Sequence, residues 1–313
     1  MKFVVTGALG HVGSRMIREL PSLFPSVEII MIDNMATQRY SSLFNLPSNR
    51  SYTFIEGDIL TLDLRSLFSG VYAVIHLAAI TDATNSFDNQ EQVEHNNYTA
   101  SLKVSEACIA TGANMFLISS TSVYGTQETT IDENCRQDEL KPQSPYAATK
   151  LKEEALIQKK VSEEGLRAVI LRLGTIFGVS PGMRFHTAIN KFCWQAVMGK
   201  PLTIWKTAYD QKRPYLDLGD AVRAIAFFLD KDKFDGRVYN VVTLNSTVRE
   251  MVETIQTFIP ELNTDFVDSK IMNQLSYEVI NTRLDEENFI FQGNIKQGIK
   301  DTIFLLKQAM SLK

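Results

Sequence analysis

The sequence is poor in cysteine: Cys108, Cys135 and Cys193 are odd in number and far apart. Such a set offers no disulfide framework and predicts reduced thiols in a cytoplasmic protein. His11, His76, His95 and His186 stand at no ligand-type spacing to one another or to a cysteine, so no metal site is expected. Long apolar runs are missing too. None approaches the roughly 20 residues that cross a bilayer, which predicts no membrane partner. There is no run of Lys or Arg, and a formal net charge of −4 leaves no electrostatic footprint for nucleic acid. Met1 and Lys2 lead directly into an apolar strand pattern, so no signal peptide is expected. Internal repeats, low-complexity segments and linkers are absent as well.

What is present suits a large α/β core: 313 residues, 44% of them hydrophobic. Short β-branched or aromatic runs predict strands over 3–6, 29–32, 53–56, 73–77, 116–119 and 168–172. Between them helical periodicity marks 12–20, 90–111 and 146–164. Alternation of this kind implies βαβ units and a parallel sheet, because parallel neighbours need a crossover. Beyond about residue 175 the pattern turns irregular. A helix is expected over 185–198, a strand over 202–205, a helix over 220–229 and a strand over 238–242 that rejoins the main sheet. From 248 onward the expectation is mostly helix, ending in an amphipathic stretch over 299–306.

The first strand, Phe3-Val4-Val5-Thr6, runs into Gly7-Ala8-Leu9-Gly10-His11-Val12-Gly13. Glycines so spaced permit a tight turn, close approach of backbone to a pyrophosphate, and close helix–sheet packing. The helix that follows offers free N–H groups at His11 and Val12 and a partial positive charge. Asp33 ends the second strand, 20 residues beyond Gly13, where a carboxylate bonds a ribose 2′-hydroxyl and repels a 2′-phosphate. With Asn34 beside it, the pattern predicts a Rossmann-type, doubly wound parallel sheet that binds NAD rather than NADP.

A second constellation lies further on. Ser119-Ser120-Thr121-Ser122 closes a strand pointing into the cofactor crevice, and Pro145-Tyr146-Ala147-Ala148-Thr149-Lys150 opens a helix. At i and i+4, Tyr146 and Lys150 share one helical face. The ammonium, with an oxidised nicotinamide, is expected to favour phenolate and lower the Tyr146 pKa toward working pH. A phenolate there takes a proton from a substrate hydroxyl while hydride leaves the same carbon. Ser120 is the expected partner of that oxygen.

The Gly-x-x-Gly-x-x-Gly spacing resembles the short-chain dehydrogenase/reductase superfamily. Gly57-Asp58-Ile59 resembles its adenine contact, and His76-Leu77-Ala78-Ala79 the segment passing the nicotinamide ribose. Val123-Tyr124-Gly125 and Asn97 are similar to marks of the extended branch, the nucleotide-sugar epimerase/dehydratase family, although the Gly-Thr that follows the asparagine there is Ala100-Ser101 here. The resemblance covers nearly the whole chain. It selects Ser120 as the catalytic serine, with Thr121 second and also toward substrate. Arg213-Pro214-Tyr215-Leu216-Asp217-Leu218-Gly219-Asp220 resembles the segment whose arginine binds the substrate pyrophosphate, a role that suits a bidentate guanidinium. Arg184 and Asn190 fall where lid and pyrophosphate contacts lie. Two departures stand out: Thr175 replaces an asparagine of the sugar-nucleotide segment, and Asp217 replaces a histidine.

The resemblance implies a cofactor domain over 1–174 and about 214–242, with a smaller interwoven C-terminal α/β substrate domain over about 175–213 and 243–313. It also implies a homodimer formed through the helices over 90–111 and 146–164. The implied reaction is oxidation of a nucleotide-sugar hydroxyl, at C4, within a 4-epimerase cycle; the alternatives are a 4-dehydrogenase, a dehydratase, or a non-catalytic NAD-binding sensor. Thr121 and Ser122 stand where the family's dehydratases carry Asp-Glu, which disfavours dehydration; the retained Tyr146 and Lys150 disfavour the sensor.

Overall fold

A computed structural model describes residues 1–48, 50–81, 85–127, 130–268 and 277–308. In chain order its elements begin with β1 (Lys2–Thr6), α1 (His11–Leu23), β2 (Glu28–Asp33), β3 (Ser51–Glu56) and the short α2 (Leu64–Leu67). β4 (Ala73–His76), α3 (Gln90–Thr111), β5 (Asn114–Ser120), α4 (Pro145–Glu164) and β6 (Ala168–Leu173) follow. The remainder comprises β7 (Thr175–Phe177), α5 (Ala188–Val197), β8 (Leu202–Trp205), β9 (Lys212–Asp217), α6 (Leu218–Asp230) and β10 (Val238–Val241). It closes with β11 (Leu244–Thr247), α7 (Val248–Gln256), β12 (Thr264–Val267), α8 (Thr282–Glu286) and α9 (Ile295–Gln308).

Seven strands form one sheet in the order β10-β6-β5-β4-β1-β2-β3, and every pairing in it is parallel. Both faces are covered, so the strands read as continuous apolar runs rather than alternating ones. Phe3, Val5, Ile29 and Phe116 face α1 and α6 through Met16, Ile17, Ile225 and Phe228. Val4, Ile30, Val74 and Met115 face α3 and α4 through Val104, Cys108 and Ile157. Each fully buried side chain of this kind contributes about 1.5–3 kcal/mol. The chain winds outward from β1 to β3 and returns to β4 on the other side of β1. Strand order therefore reverses between β1 and β4, and such a switch point opens a crevice beyond the carboxyl ends of the strands.

The helix ends follow local chemistry. Ser144 caps α4 by accepting from the Ala147 N–H, Pro145 occupies the first turn, and Gly165 ends it in the left-handed region. A three-stranded sheet, β11-β9-β7, and a parallel pair, β12-β8, lie over a separate core of Phe177, Phe192, Tyr215, Met251 and Ile299. Here the expectation needs correcting. The tail is helical at α7, α8 and α9 but also contributes strand β12, and β7, β9 and β11 were not foreseen as strands. β7 has only three residues, and β9, β11 and β12 carry charged or turn-forming residues (Lys212, Arg213, Pro214 and Asp217; Asn245; Asp265) that hide a strand pattern; all four exist because partners supply their hydrogen bonds. Of the tail reading, residues 269–276 and 309–313 lie outside the described residues.

Candidate active site

The glycine loop links β1 to α1 at the switch point. Gly7 has φ +64°, and a Cβ there would stand 2.7 Å from the Ala78 backbone nitrogen. A Cβ on Gly13 would meet the Gly7 carbonyl oxygen at 2.5 Å. Gly10, Gly7 and Gly13 thus shape a cradle that side chains would fill. The α1 N-terminus has no side-chain cap and no acidic residue in its first turn, so its positive end stays open to an anion. These features fit a dinucleotide pyrophosphate. The His11 and Val12 backbone N–H groups stand at that terminus, but the His11 imidazole turns away and bonds the Gly178 carbonyl at 2.8 Å. Burial pushes the His11 pKa down to about 4, so the ring is neutral.

Beyond β2, Asp33 accepts from the Leu9 N–H and the Met35 N–H, each at 3.0 Å. These bonds fix its orientation and leave the carboxylate capacity to accept further hydrogen bonds. Asn34 donates to Asp58 at 3.1 Å, joining two of the expected adenosine-side residues, while Ile59 is buried in the core. At the end of β4, the Leu77 and Ala78 N–H groups bond Thr6 Oγ1 at 3.2 and 3.1 Å. Thr6 Oγ1 also lies 2.8 Å from His76 Nδ1. The segment continues through Ala79 to Ile80, whose N–H and C=O are both held by the buried Asn97 side chain at 2.8 and 2.9 Å. Asn97 therefore pins this segment against α3.

Tyr146 and Lys150 lie one turn apart on α4, with the Lys150 ammonium 5.8 Å from the Tyr146 ring centroid. Lys150 also pairs with Glu153 at 3.1 Å. The expected lowering of the Tyr146 pKa does not emerge in the protein by itself. Burial raises it, and although Lys150 and Arg184 oppose that rise, burial with the help of Glu153 prevails. Burial also lowers the Lys150 pKa, but Glu153, Tyr146 and Glu154 outweigh it, so the lysine is a cation. Ser120, at the end of β5, accepts from the Ser122 N–H at 3.2 Å and from its hydroxyl at 2.9 Å, which leaves the Ser120 proton available to donate. Behind this turn, Glu154 receives Arg172 through two bonds of 2.9 and 2.6 Å and Ser119 through one of 2.5 Å. The Arg172 guanidinium lies 4.8 Å from the Tyr124 ring centroid, so Val123-Tyr124-Gly125 is part of this support.

Thr121 bonds the Leu173 carbonyl at 3.4 Å, and its hydroxyl, with the Arg213 charge, opposes the rise that burial gives the Tyr277 phenol, so all three lie near one another. The serine turn, Tyr277 and Arg213 thereby gather at one end of the site. Arg213 Nε and Nη2 are buried without a hydrogen-bond partner among the described residues. Arg184 hydrogen-bonds Thr81 Oγ1 and lies close enough to Tyr146 to favour its ionised form. The fully buried Asn190 donates to the Arg184 carbonyl at 3.0 Å, so it holds the arginine segment. Thr175 opens β7 opposite Tyr215 of β9, the strand that carries Arg213. Asp217 caps α6 by accepting from the Gly219 and Asp220 N–H groups, which gives that departure a structural role.

Sequence reasoning missed several neighbours. Tyr277 is distant in sequence from Thr121 and Arg213, and no local pattern marks it. Arg39, on the loop after β2, reaches the field of Asp33 and the edge of Gly10. Ser180 bonds the His11 carbonyl at 2.9 Å and the Gly182 N–H bonds Ser14 Oγ at 2.9 Å, strapping the segment after β7 onto the glycine loop. Only Glu153 was readable, standing three residues beyond Lys150.

The family model for the NAD dependent epimerase/dehydratase family matches residues 3–241. YtcB of Bacillus subtilis (strain 168), named an uncharacterized UDP-glucose epimerase, is 34% identical over 250 residues, covering 77% of this chain and 76% of its own. A trifunctional UDP-glucose 4,6-dehydratase/UDP-4-keto-6-deoxy-D-glucose 3,5-epimerase/UDP-4-keto-L-rhamnose-reductase of Arabidopsis thaliana is 29% identical over 314 residues. That match covers 96% of this chain but only 46% of the plant protein. The crystal structure of UDP-glucuronic acid 4-epimerase from Bacillus cereus, in complex with UDP-glucuronic acid and NAD, superposes with a TM-score of 0.90 at 25% identity. It covers 99% of this chain and 100% of that one.

Proposed function

The chain belongs to the NAD dependent epimerase/dehydratase family, and from that premise we propose that it acts on a nucleoside diphosphate sugar as a 4-epimerase. Its cofactor is NAD, which when bound would supply the hydride acceptor and donor for the sugar carbon. In the proposed cycle, Tyr146 takes the C4 hydroxyl proton while Ser120 donates a hydrogen bond to the same oxygen. Lys150 supports the phenolate electrostatically. The 4-keto sugar then turns within the pocket, and Tyr146 returns its proton as hydride arrives on the opposite face. Atoms and electrons balance over the cycle, so the net reaction is an isomerisation.

The observation that carries this reading is Arg213. A half-buried guanidinium with two nitrogens shut off from solvent and without a hydrogen-bond partner among the described residues is costly unless an anion meets it. It stands at the Thr121–Tyr277 end of the site, where a substrate diphosphate supplies that anion while the sugar reaches Tyr146. The relatives' names make UDP-sugars the first candidates. Dehydration, favoured by the plant relative, would require acids where Thr121 and Ser122 stand, and Ser122 is already bonded to Ser120. We also propose that residues 1–174 and about 214–242 form the cofactor unit, with about 175–213 and 243–313 as the substrate unit. Homodimerisation through α3 and α4, in the cytoplasm, completes the reading.

A panel of UDP-, GDP-, CDP- and dTDP-sugars, followed by product NMR, tests the reaction. Arg213→Ala is expected to weaken nucleotide-sugar binding about 10- to 100-fold, the loss of a charge-assisted bond of roughly 1.5–3 kcal/mol, with NAD affinity unchanged. Calorimetry on the variant reads both. Equal binding by parent and variant, or no binding by the parent, removes the substrate assignment.

A further inference from the structure

We propose that Glu153 is a positioning residue of the active site, holding the Lys150 ammonium from below and withdrawing part of its charge from Tyr146. The inference rests on the proposed role of Tyr146 as base. Tyr146, Lys150 and Glu153 stand at i, i+4 and i+7 of α4, so all three share one helical face. Glu153 Oε2 accepts from the lysine at 3.1 Å and from Ser101 of α3 at 2.6 Å. The pair is withdrawn from solvent, with side-chain exposures of 5% and 1%. Glu153 Oε1 is buried without a hydrogen-bond partner among the described residues.

The surroundings leave this carboxylate uncompensated except by Lys150. Glu154, its neighbour on α4, is taken up by the two-bond pair with Arg172 and by Ser119. His76, facing Lys150 from the end of β4, is held neutral by burial, its pKa pushed down to about 3. Arg184 is the other cation whose field reaches Tyr146, from the segment after β7. Glu153 is thus the one net negative charge in contact with Lys150 among the described residues. An ammonium shared in this way is kept at a fixed place by a short, stiff tether, and its support for the phenolate is divided. Removing the negative charge while keeping the shape leaves Lys150 acting on Tyr146 alone, so the phenol ionises at lower pH.

Ultraviolet phenolate titration tests this without a sugar, on the protein with and without NAD⁺, using Tyr146→Phe as the blank. Glu153→Gln is expected to move the Tyr146 midpoint down by about one pH unit, the low end of what one neighbouring charge gives. Glu153→Asp keeps the charge but draws it back by a methylene, and is expected to move the midpoint the same way by less. A purely structural role predicts the reverse ranking of damage, with the near-isosteric Gln harmless, Asp disruptive, and no midpoint shift in either. An unmoved midpoint in the variants that fold overturns the proposal; Glu153→Asp alone decides it if Glu153→Gln yields no folded protein. If Tyr146→Phe turns over a nucleotide sugar at the parental rate, the base assignment fails instead, a separate outcome.

Discussion

At the scale of single residues, the site depends on charges held by short bonds. Burial outweighs the cationic neighbours of Tyr146 and raises its pKa further above working pH in the protein by itself. Its role as base is tested by Tyr146→Phe, which removes the proton acceptor and leaves the ring in place. Turnover is expected to fall on the order of 10²–10⁴-fold with NAD affinity intact. Activity within twofold of the parent would refute the role. Asp33 is a second such charge. Two backbone N–H groups orient its carboxylate, and a 2′-phosphate brought against it meets like charge in a partly desolvated setting. Dissociation constants are expected to favour NAD strongly over NADP, and Asp33→Ser to narrow the gap. Equal constants in the unmutated protein would exclude Asp33 as the selector, and Arg39, beside it, would then be the residue to examine.

At the scale of elements, the glycine loop is shaped from two sides. α1 presents an uncapped N-terminus, and the segment after β7 lies across the loop through Ser180 and Gly182. A Cβ at residue 182 would stand 2.2 Å from the Leu9 carbonyl oxygen and 2.5 Å from that of Gly10. Backbone cannot yield there as the tip of a side chain would, so Gly182→Ala must displace either the strap or the loop. Overpacking of this kind costs about 1–3 kcal/mol. Gly182→Ala is expected to weaken NAD binding about tenfold or more while the protein remains folded, as read by calorimetry and circular dichroism. Unchanged NAD affinity would show that the strap is not needed to shape the cradle. α4 works differently: its Ser144 cap sets where the helix begins, and thus where Tyr146 and Lys150 face.

At the scale of the whole molecule, two buried neutral histidines couple the fold to pH. Burial lowers the His11 pKa from 6.5 to about 4 and the His76 pKa from 6.5 to about 3. The unfolded chain binds these protons near pH 6.5, whereas the folded protein resists them. Unfolding therefore takes up protons in that window, and stability present above pH 6.5 is lost as pH falls toward 4. For His11 the full displacement corresponds to about 3 kcal/mol, at 1.36 kcal/mol per unit. Melting temperature is expected to drop from pH 7 to pH 4.5, and His11→Gln to flatten that dependence, at some loss of stability at pH 7. A parental slope unchanged in the variant would mean that His11 titrates alike in both states. Among the described residues no helix is long and apolar enough to cross a membrane.

Local chemistry was enough for much of this protein. Glycine spacing, an acidic residue ending the second strand, and Tyr and Lys four apart behind a proline are short-range patterns. The chemistry they serve demands them at fixed offsets, so the parallel sheet, the family and the cofactor were legible in one dimension. The continuous apolar runs of β1, β2, β4, β5 and β6 likewise show themselves, because strands covered on both faces by helices carry apolar residues at nearly every position. Tertiary structure alone decided the rest. β7, at three residues, and β9, β11 and β12, with their charged and turn-forming residues, do not announce themselves and form only where a partner's backbone meets them. Tyr277 joins Thr121 and Arg213 by folding, not by sequence offset. The rise of the Tyr146 pKa in the protein by itself, where Lys150 together with an oxidised nicotinamide was expected to lower it, follows from burial, which depends on every surrounding element at once. Spacing names the groups that can do chemistry; the dielectric and the neighbours that set their charge exist only in the folded protein.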